Sequence, residues 1–434
     1  MIFINRLIIE NVRIISPEEQ RDEVANLYVN NGRIADPFRK TEQDTVIDGT
    51  GLVAMPGLVD LHVHLRDPGQ EEKEDIITGT NAAAAGGVTS LLCMPNTNPT
   101  IDNAGVISYI KEKAKNCKSR VYIAGSITMG LEGKEPTDLK ALRKAGAIGL
   151  SDDGRPVLDP EIMASAMKKA PELGMTVVAH CEDLELADGG KINKGKMSEK
   201  LGIKGIPAEA EDKGTKREIN LAKENNVPVH ICHVSTKTSV QMIREAKEAG
   251  VKVTAETAPH YFTLTEDVLE KRDADYRMNP PLRTEEDRLA IIEGLADGTL
   301  DCIATDHAPH TEEDKKDFEK APNGSIGMET SLAAALTVLY HNGDFSLLDI
   351  AKLMSTTPAK ILKINAGSLK TGALADIALV DVDKEWIVDR DKLHGKSKNT
   401  PFKGMKMKGK VVKTILEGKV VFEEDWLNNQ FHIN

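Results

Sequence analysis

Apolar residues in the middle of the chain fall into short runs, and each run is followed by a longer stretch with helical spacing. The helical spacing is clearest over residues 216–225, 239–249 and 285–296. Apolar strands that alternate with helices are typical of a parallel sheet covered on both faces. The pattern predicts an α/β fold, a (β/α)8 TIM barrel, with an open doubly wound sheet as the alternative. The apolar runs cover residues 57–61, 88–94, 121–125, 147–150, 176–179, 229–234, 251–255 and 302–304.

Both ends of the chain have a different pattern, in which short β-like stretches are separated by turn residues. Asn31-Gly32 follows one such stretch and Glu417-Gly418 follows another, and these dipeptides are hairpin or turn signals. Because the first and last elements of a barrel are neighbours, the two ends are expected to meet. We therefore predict one small β-sandwich domain formed from both termini, residues 1–54 and 366–434, and a hydrolase barrel over residues 55–365.

Charge and cysteine usage restrict the class of protein. Lys and Arg total 56 against 68 Asp and Glu, and the formal net charge of −12 opposes binding to nucleic acid or to an anionic membrane. Five cysteines without paired spacing argue against a disulfide framework, and no apolar run is long enough to span a membrane. The N-terminus has no cleavable signal pattern. We expect a cytoplasmic protein with a small-molecule substrate and no nucleic-acid or membrane partner.

Histidines and aspartates stand where the predicted strands end, which is the face where barrel enzymes carry their active sites. His62 and His64 share one side of the first strand because side chains alternate along a strand. Four imidazoles and two carboxylates suit Zn²⁺ or a similar ion. Six ligands suit two ions that share a bridging carboxylate and a bridging hydroxide. The predicted ligands are His62, His64, Asp153, His180, His233 and Asp306.

Some of these assignments have alternatives. An isolated pair such as His62 and His64 is weak evidence, whereas ligand types at five strand ends are much stronger evidence. Asp152 is the alternative to its neighbour Asp153 and would otherwise cap the following segment. His180 has the alternative of a hydrogen-bonded core histidine.

Other histidines and cysteines near these positions are expected to have supporting roles. His230 lies three residues before His233, so the two should face opposite sides of the strand, with a structural or ligand-supporting role for His230. His260 either lines the pocket or packs beside it. Strand alternation should turn Cys181 and Cys232 away from the ligands, as small buried hydrophobic residues.

Four segments carry a resemblance to a known family. They are residues 60–69 (DLHVHLRDPG), residues 304–310 (ATDHAPH) with Lys315 beyond them, residues 94–97 (MPNT) and residues 278–283 (MNPPLR). With these motifs the chain resembles the dihydroorotases of the amidohydrolase superfamily. The resemblance extends over the whole chain, including the β-domain built from both ends.

The resemblance implies an activity and a set of substrate-binding residues. The activity is the reversible cyclisation of N-carbamoyl-L-aspartate to L-dihydroorotate in de novo pyrimidine (UMP) synthesis. Arg66, Asn96 and His310 would hold the substrate carboxylate, and Asn279 would contact the ring amide. The residue types agree with this role, because an arginine fork pairs with a carboxylate and asparagine adds a donor.

The end of the fourth strand distinguishes between branches of the superfamily. Many relatives bridge their metals with a carbamylated lysine there, but residues 149–154 read GLSDDG and contain no lysine. The chain is thus similar to the branch in which an aspartate bridges, which implies two Zn²⁺ per subunit bridged by Asp153 and a hydroxide. Asn323 is a departure, since relatives often have an aromatic residue there.

The implied mechanism makes Asp306 the catalytic residue, which takes a proton from the attacking water and delivers it to the leaving ring nitrogen. One rival is an allantoinase-type or hydantoinase-type cyclic ureidohydrolase, which would have no use for the carboxylate-binding trio. Another is a non-catalytic dihydroorotase-like scaffold for aspartate transcarbamoylase, although all six candidate ligands are present. Association with aspartate transcarbamoylase rests on family analogy, and the sequence leaves the oligomeric state open, with a homo-oligomer as one option. Residues 311–327 form a candidate mobile loop over the site.

Overall fold

The structure is a computed structural model that describes residues 6–424. Strands in this range alternate with helices through the middle of the chain and dominate both ends. The strands are β1 Arg6–Ser16, β2 Arg21–Asn30, β3 Arg33–Ala35, β4 Thr45–Asp48, β5 Val53–Pro56, β6 Leu58–Val63, β7 Val88–Cys93, β8 Arg120–Gly125, β9 Gly149–Leu150, β10 Thr176–Ala179, β11 Ile192–Asn193, β12 Gly205–Ile206, β13 Val229–Ile231, β14 Val253–Thr257, β15 Cys302–Ile303, β16 Ile377–Ile387, β17 Lys406–Leu416 and β18 Lys419–Glu423.

The helices lie between the central strands and after them. They are α1 Ile76–Ala85, α2 Ala104–Lys113, α3 Leu139–Ala145, α4 Pro160–Glu172, α5 Leu184–Ala187, α6 Lys196–Leu201, α7 Ala208–Asn225, α8 Lys237–Glu248, α9 Pro259–Thr263, α10 Glu285–Asp297, α11 Ser331–Ala335, α12 Leu347–Ala351 and α13 Thr357–Leu362. Short 3-10 or π turns lie at Pro17–Glu19, Ala114–Asn116, Met129–Leu131, Glu266–Lys271, Ala274–Tyr276, Leu336–His341, Lys352–Thr356 and Arg390–Lys392.

Eight strands form a parallel sheet in the order β6-β7-β8-β9-β10-β13-β14-β15. The sheet closes into a barrel where Val63, at the end of β6, bridges to His307 beyond β15. The His64 amide also donates a hydrogen bond to the His307 carbonyl at 2.8 Å. Because the two edge strands meet, the open doubly wound alternative is excluded and the predicted barrel is confirmed.

Local sequence signals account for the helices that cover the barrel. The Thr236 side chain caps α8, and Thr284 forms a capping box with Asp287 at the start of α10. These two helices match the predicted segments 239–249 and 285–296 to within two residues. No helix within residues 6–424 has the length and apolar character needed to cross a bilayer.

Strands from both ends of the chain form a second sheet in the order β18-β17-β16-β5-β1-β2-β3, with β4 also paired to β1. β5 joins the two ends, since it pairs in parallel with β1 and antiparallel with β16. An apolar cluster on this sheet combines residues from both ends, among them Ile9, Leu27 and Leu379. The β-domain formed from both termini is therefore confirmed as part of the fold class.

The predicted domain boundaries at residues 54/55 and 365/366 stay a prediction. β5 runs across the first of them and belongs to the terminal sheet. Residues 1–5 and 425–434 of the predicted β-domain lie outside the described residues. What matters for function is that the barrel brings the carboxyl ends of eight distant strands to one mouth.

Candidate metal centre and active site

The six predicted ligands lie together at the carboxyl ends of the barrel strands. Asp153 follows β9, His180 follows β10 directly, and Asp306 follows β15. All six residues are buried, with exposures that range from 0% for His62 to 7% for Asp306. The structure thus gathers side chains that are up to 244 residues apart in sequence, as a closed barrel of parallel strands requires.

Asp153 lies between two pairs of histidines. Its Oδ1 lies 3.3 Å from His62 Nε2, and its Oδ2 lies 3.5 Å from His64 Nε2. On the other side, Oδ1 lies 3.4 Å from His180 Nδ1 and 3.7 Å from His233 Nε2. The result is two groups of ligand atoms, each made of two histidines and the shared Asp153. This arrangement fits a pair of divalent ions that share one carboxylate.

Asp306 approaches the first of these groups from the end of the eighth barrel strand. Its Oδ1 lies 3.3 Å from His64 Nε2 and 3.6 Å from His62 Nε2. Burial raises the pKa of Asp306, but the hydrogen bond with His64 and the charges of nearby imidazoles outweigh it, and the pKa falls to about 2. Asp306 is therefore an ionised carboxylate that can bind a cation or accept a proton.

Two ligand atoms at the centre lack hydrogen bonds within the described residues, and these atoms show whether the site fits a metal. His62 Nε2 and Asp153 Oδ1 are buried and make no hydrogen bond. Buried polar atoms without partners are costly, so each such atom calls for an explanation. A cation between these atoms would satisfy both of them, and nitrogen and carboxylate donors are ligands that Zn²⁺ accepts. The residues present therefore fit a divalent metal centre.

The far ring nitrogens of three ligand histidines are also bonded to side chains. These contacts are His62 Nδ1 to Glu256 Oε1 at 3.1 Å, His180 Nε2 to Glu182 Oε2 at 3.1 Å, and His64 Nδ1 to Asn96 Oδ1 at 2.8 Å. Such contacts set which nitrogen carries the hydrogen. They leave His62 Nε2 for a metal, whereas His180 Nδ1 also lies 2.8 Å from His233 Nε2. Burial raises the pKa of Glu256, but its hydrogen bonds with His230 and His62 bring it down to about 2.

Glu256 and Glu182 are site residues that the sequence pattern did not predict. Glu256 was detectable in part, since it is a lone acidic residue in the strand segment VTAET of β14. A charged residue in a buried strand needs a partner, and that requirement is a usable signal. The sequence contains no signal that would name His62 as this partner, because the two residues are 194 positions apart.

Three site residues have left-handed backbone conformations, namely Arg66 with φ +62°, His233 with φ +35° and Asp306 with φ +48°. Non-glycine residues adopt this conformation rarely, and it occurs often at functional sites. At His233 it interrupts the alternation of side chains that β13 would otherwise continue. His233 therefore turns toward His62, which His230 reaches through Glu256, and the prediction that the two face opposite sides is wrong.

The predictions for the two cysteines have different outcomes. Cys181 packs in the main apolar core, as expected. Cys232 does not turn away from the ligands, because its Sγ lies within 4.8 Å of ligand nitrogens of His62 and His233. The alternation that brings His230 into the barrel also brings Cys232 in, two residues later. The predicted direction of Cys232 is therefore wrong, whereas its predicted burial among apolar residues is confirmed.

A cavity of about 190 Å³ opens in front of the metal centre, and its lining includes all four predicted substrate-binding residues. These are Arg66, Asn96, Asn279 and His310. Arg66 Nη2 lies 3.4 Å from His310 Nε2, and the Arg66 Nε donates to the Pro309 carbonyl at 3.2 Å. The cavity therefore combines a guanidinium, two amides and an imidazole with the ligand groups.

Burial sets the charges along this wall. It lowers the pKa of Arg66 to about 10, so the guanidinium stays protonated at neutral pH. Burial and the neighbouring Arg66 lower the pKa of His310 to about 2, so this imidazole is neutral. The wall offers one fixed positive charge and a neutral hydrogen-bonding ring, which suits an anionic substrate group.

Two further alternatives from the sequence are resolved by contacts. Asp152 accepts hydrogen bonds from the Ile127 and Thr128 amides at 2.7 and 3.2 Å and anchors that loop, so Asp153 is the residue at the centre. His260 is buried against Tyr261, with ring centroids 4.2 Å apart, and has the packing role rather than a cavity position.

Comparisons with known proteins agree on the family. Residues 51–239 match the family model described as Dihydro-orotase-like. A dihydroorotase of Geobacter metallireducens is 48% identical over 422 residues, covering 96% of this chain and 99% of that protein. A dihydroorotase of Acetivibrio thermocellus is 45% identical over 422 residues with the same coverage.

Solved structures of related hydrolases share the architecture. The L-hydantoinase (dihydropyrimidinase) of Arthrobacter aurescens superposes with a TM-score of 0.86 at 27% identity, over 97% of this chain and 96% of that one. A D-hydantoinase superposes with a TM-score of 0.85 at 26% identity, over 96% and 95% of the two chains. Because curated dihydroorotases are 45% and 48% identical to this chain over 96% of its length, the chain belongs to the dihydroorotase family.

Proposed function

We propose that the protein catalyses the reversible cyclisation of N-carbamoyl-L-aspartate to L-dihydroorotate in de novo pyrimidine biosynthesis. The observation that carries the proposal is the joint presence, around one cavity, of two ligand groups sharing Asp153 and of the trio Arg66, Asn96 and His310. The curated relatives named dihydroorotase support the same reaction.

We propose two zinc ions per subunit. His62, His64 and Asp306 would hold one ion, His180 and His233 would hold the other, and Asp153 would bind both. When bound, the metal pair polarises the ring carbonyl and makes the attacking water more acidic. Both ligand groups are buried beside the cavity, which supports this assignment.

Asp306 is proposed as the catalytic residue that moves the proton. In the hydrolytic direction the ring amide C–N bond breaks and water adds. Asp306 takes the proton of the attacking water and delivers it to the ring nitrogen that leaves. In the cyclisation direction the terminal ureido nitrogen forms the amide bond with the side-chain carboxyl group, and water is released. The ionised state of Asp306 supports its role as proton acceptor.

The carboxylate that is not consumed would bind Arg66, Asn96 and His310. Arg66 supplies the positive charge, and neutral His310 lines the cavity beside it. Asn279, whose Nδ2 donates to Glu182 at 3.2 Å, is proposed to contact the ring amide. An allantoinase or hydantoinase would have no use for this trio, and the hydantoinase structures are similar at only 25–27% identity.

The remaining expectations concern partners and location. All five cysteines are free thiols, which supports a reducing compartment such as the cytoplasm. Association with aspartate transcarbamoylase and a homo-oligomeric state stay predictions.

The test is a substrate comparison on protein whose metal content has been quantified. Cyclisation of N-carbamoyl-L-aspartate and hydrolysis of L-dihydroorotate, hydantoin and allantoin would be measured side by side. We expect kcat/KM for L-dihydroorotate to exceed that for hydantoin and allantoin by about 100-fold or more, because the cavity holds a group that pairs with a carboxylate. A preference for hydantoin or allantoin would contradict the proposal, and no turnover by metal-loaded protein would favour the scaffold alternative.

A further inference from the structure

Glu256 is a buried glutamate in β14 that contacts the metal centre from behind. It is 1% exposed, and its Oε1 lies 3.1 Å from His62 Nδ1. Its Oε2 lies 3.1 Å from His230 Nε2, and His230 Nδ1 lies 2.9 Å from Thr254 Oγ1. A continuous row of hydrogen bonds therefore runs from Thr254 through His230 and Glu256 to His62.

This row determines which nitrogen of His62 faces the metal. A buried carboxylate is costly unless hydrogen-bond donors satisfy it, and here two imidazole N–H groups do so. His62 must then carry its hydrogen on Nδ1, which leaves the lone pair on Nε2. That nitrogen is the buried atom without a hydrogen bond, 3.3 Å from Asp153 Oδ1 and 3.6 Å from Asp306 Oδ1.

We propose that Glu256 is a positioning residue of the metal centre. It holds His62 in the tautomer and orientation that present Nε2 to a metal ion, and its negative charge partly offsets the charge of that ion. His230 and Thr254 in turn hold Glu256. The inference rests on the proposed metal-dependent function.

A different interpretation of the same residues is a third metal site. Ligand atoms of His230, Glu256 and Cys302 lie within 4.8 Å of one another, and all three residues are buried. Both nitrogens of His230 and both oxygens of Glu256 already take part in hydrogen bonds, however. If Glu256 supports His62, both nitrogens of His230 and both oxygens of Glu256 are used in hydrogen bonds, and none of them is left to bind a third metal ion.

The other carboxylate behind a ligand histidine has different surroundings. Glu182 contacts His180 and also accepts a hydrogen bond from Asn279, which lines the cavity. Glu256 is enclosed by His62 and His230 and is not among the residues that line the cavity. Loss of Glu256 should therefore weaken metal binding without a direct effect on substrate contacts.

The test is a titration of metal-free protein with Co²⁺, followed by visible absorption, for the wild type and for Glu256→Gln. The matched control is Glu74→Gln, because Glu74 is a fully buried glutamate that binds Thr78 Oγ1 and the Lys396 amide. We expect Glu256→Gln to lower the affinity for one Co²⁺ equivalent by about 10–100-fold and to change the absorption band of that equivalent. Glu74→Gln should bind both equivalents as the wild type does, and Glu256→Asp, which keeps the charge, should recover part of the affinity.

Three results would overturn the inference. The first is wild-type Co²⁺ affinity and spectrum in folded Glu256→Gln. If that variant does not fold, His230→Gln, which removes one partner of Glu256, takes its place. We expect His230→Gln to bind the same Co²⁺ equivalent more weakly, and unchanged affinity is the second result that would overturn the proposal. The third is a further Co²⁺ equivalent that is lost in Cys302→Ala. Failure of the wild type to bind Co²⁺ would instead overturn the proposed function, and this inference with it.

Discussion

At the scale of single residues, the cavity combines groups whose charges differ at neutral pH. Asp306, with its pKa near 2, is a carboxylate, whereas Arg66 remains a cation because burial lowers its pKa only to about 10. His310 is neutral, since burial and Arg66 lower its pKa to about 2. A proton acceptor and a fixed cation therefore face the same small space, which is what hydrolysis of an anionic cyclic amide needs.

Asp306→Asn removes the proposed proton carrier while it keeps the size of the side chain. We expect kcat to fall by about 100-fold or more, since a positioned acid–base group contributes a factor of that order. Metal analysis of the same sample separates loss of proton transfer from loss of metal. A variant that retains metal and turns over at near-parental rate would contradict the role of Asp306.

Arg66→Ala removes the cation proposed to bind the substrate carboxylate. We expect KM for L-dihydroorotate to rise about 10-fold or more, because a charge-assisted bidentate contact is lost. Dihydrouracil is the matched substrate, since it has the same ring without the carboxylate. The variant should therefore lose most of its preference for L-dihydroorotate over dihydrouracil, and an unchanged preference would argue against this contact.

At the scale of elements, segment 311–327 forms part of the cavity wall and is tied down by one lysine. Lys315 Nζ donates to the carbonyls of Ala274, Arg277 and Pro322 at 3.0, 3.3 and 2.9 Å. Next to Pro322, the Asn323 carbonyl contacts His310 Nε2 at 2.9 Å. Lys315 thus links the segment that follows His310 to the residues before Asn279. This link is a physical reason for the lysine that follows the motif of residues 304–310.

Lys315→Met removes the ammonium group from these three carbonyls. We expect faster hydrogen exchange over residues 311–327 and a higher KM, because three backbone acceptors lose their donor and the cavity wall loosens. The control is Lys316→Met, since Lys316 is an exposed neighbour whose side chain pairs with Glu313. Equal exchange in the two variants would contradict the anchoring role of Lys315 and would leave loop motion without this structural basis.

At the scale of the whole molecule, two sheets share one chain, and the barrel encloses several uncharged histidines. β5 and β16 join the two ends in the terminal sheet, while the barrel closes between β6 and the segment after β15. Burial in the barrel lowers the pKa of His260 to about 4 and that of His307 to about 3. Folding therefore keeps these rings neutral at pH values at which the same rings are protonated in the unfolded chain.

His260 should make the protein less stable as the pH falls. The unfolded chain takes up a proton at His260 near pH 6.5, whereas the folded protein does so only near pH 4. Between these values the unfolded state binds more protons, so this stabilising contribution is present above pH 6.5 and is lost as the pH falls toward 4. A single group of this kind contributes a slope of at most about 1.4 kcal/mol per pH unit.

His260→Gln tests this contribution through urea unfolding midpoints at several pH values between 6.5 and 4. We expect a shallower fall of the midpoint than in the wild type, since the variant has no proton to take up at this position. His394→Gln is the control, because the His394 side chain is 42% exposed. If both variants keep the wild-type slope, His260 is not a source of the acid sensitivity.

Sequence periodicity was sufficient to predict the barrel and its ligands. Buried parallel strands read as continuous apolar runs, and the barrel geometry brings the residues at their carboxyl ends to one mouth. His62, His64, His180, His233 and Asp306 could be collected by this rule without knowledge of any distance, whereas the choice of Asp153 over Asp152 needed the contacts of both residues. Their assignment as metal ligands stays a prediction that the geometry and the buried atoms without hydrogen bonds support.

Contacts between residues distant in sequence required the tertiary structure. The pairing of Glu256 with His62, the inward position of Cys232 and the three carbonyls around Lys315 each depend on how separate strands and loops meet. At His233 the left-handed backbone overrides the alternation from which a strand pattern is read. The type of fold and most of the residues at the mouth of the barrel could be predicted because both follow from the local period of the chain. Which buried groups support those residues depends on long-range packing, so it is visible only in the folded protein.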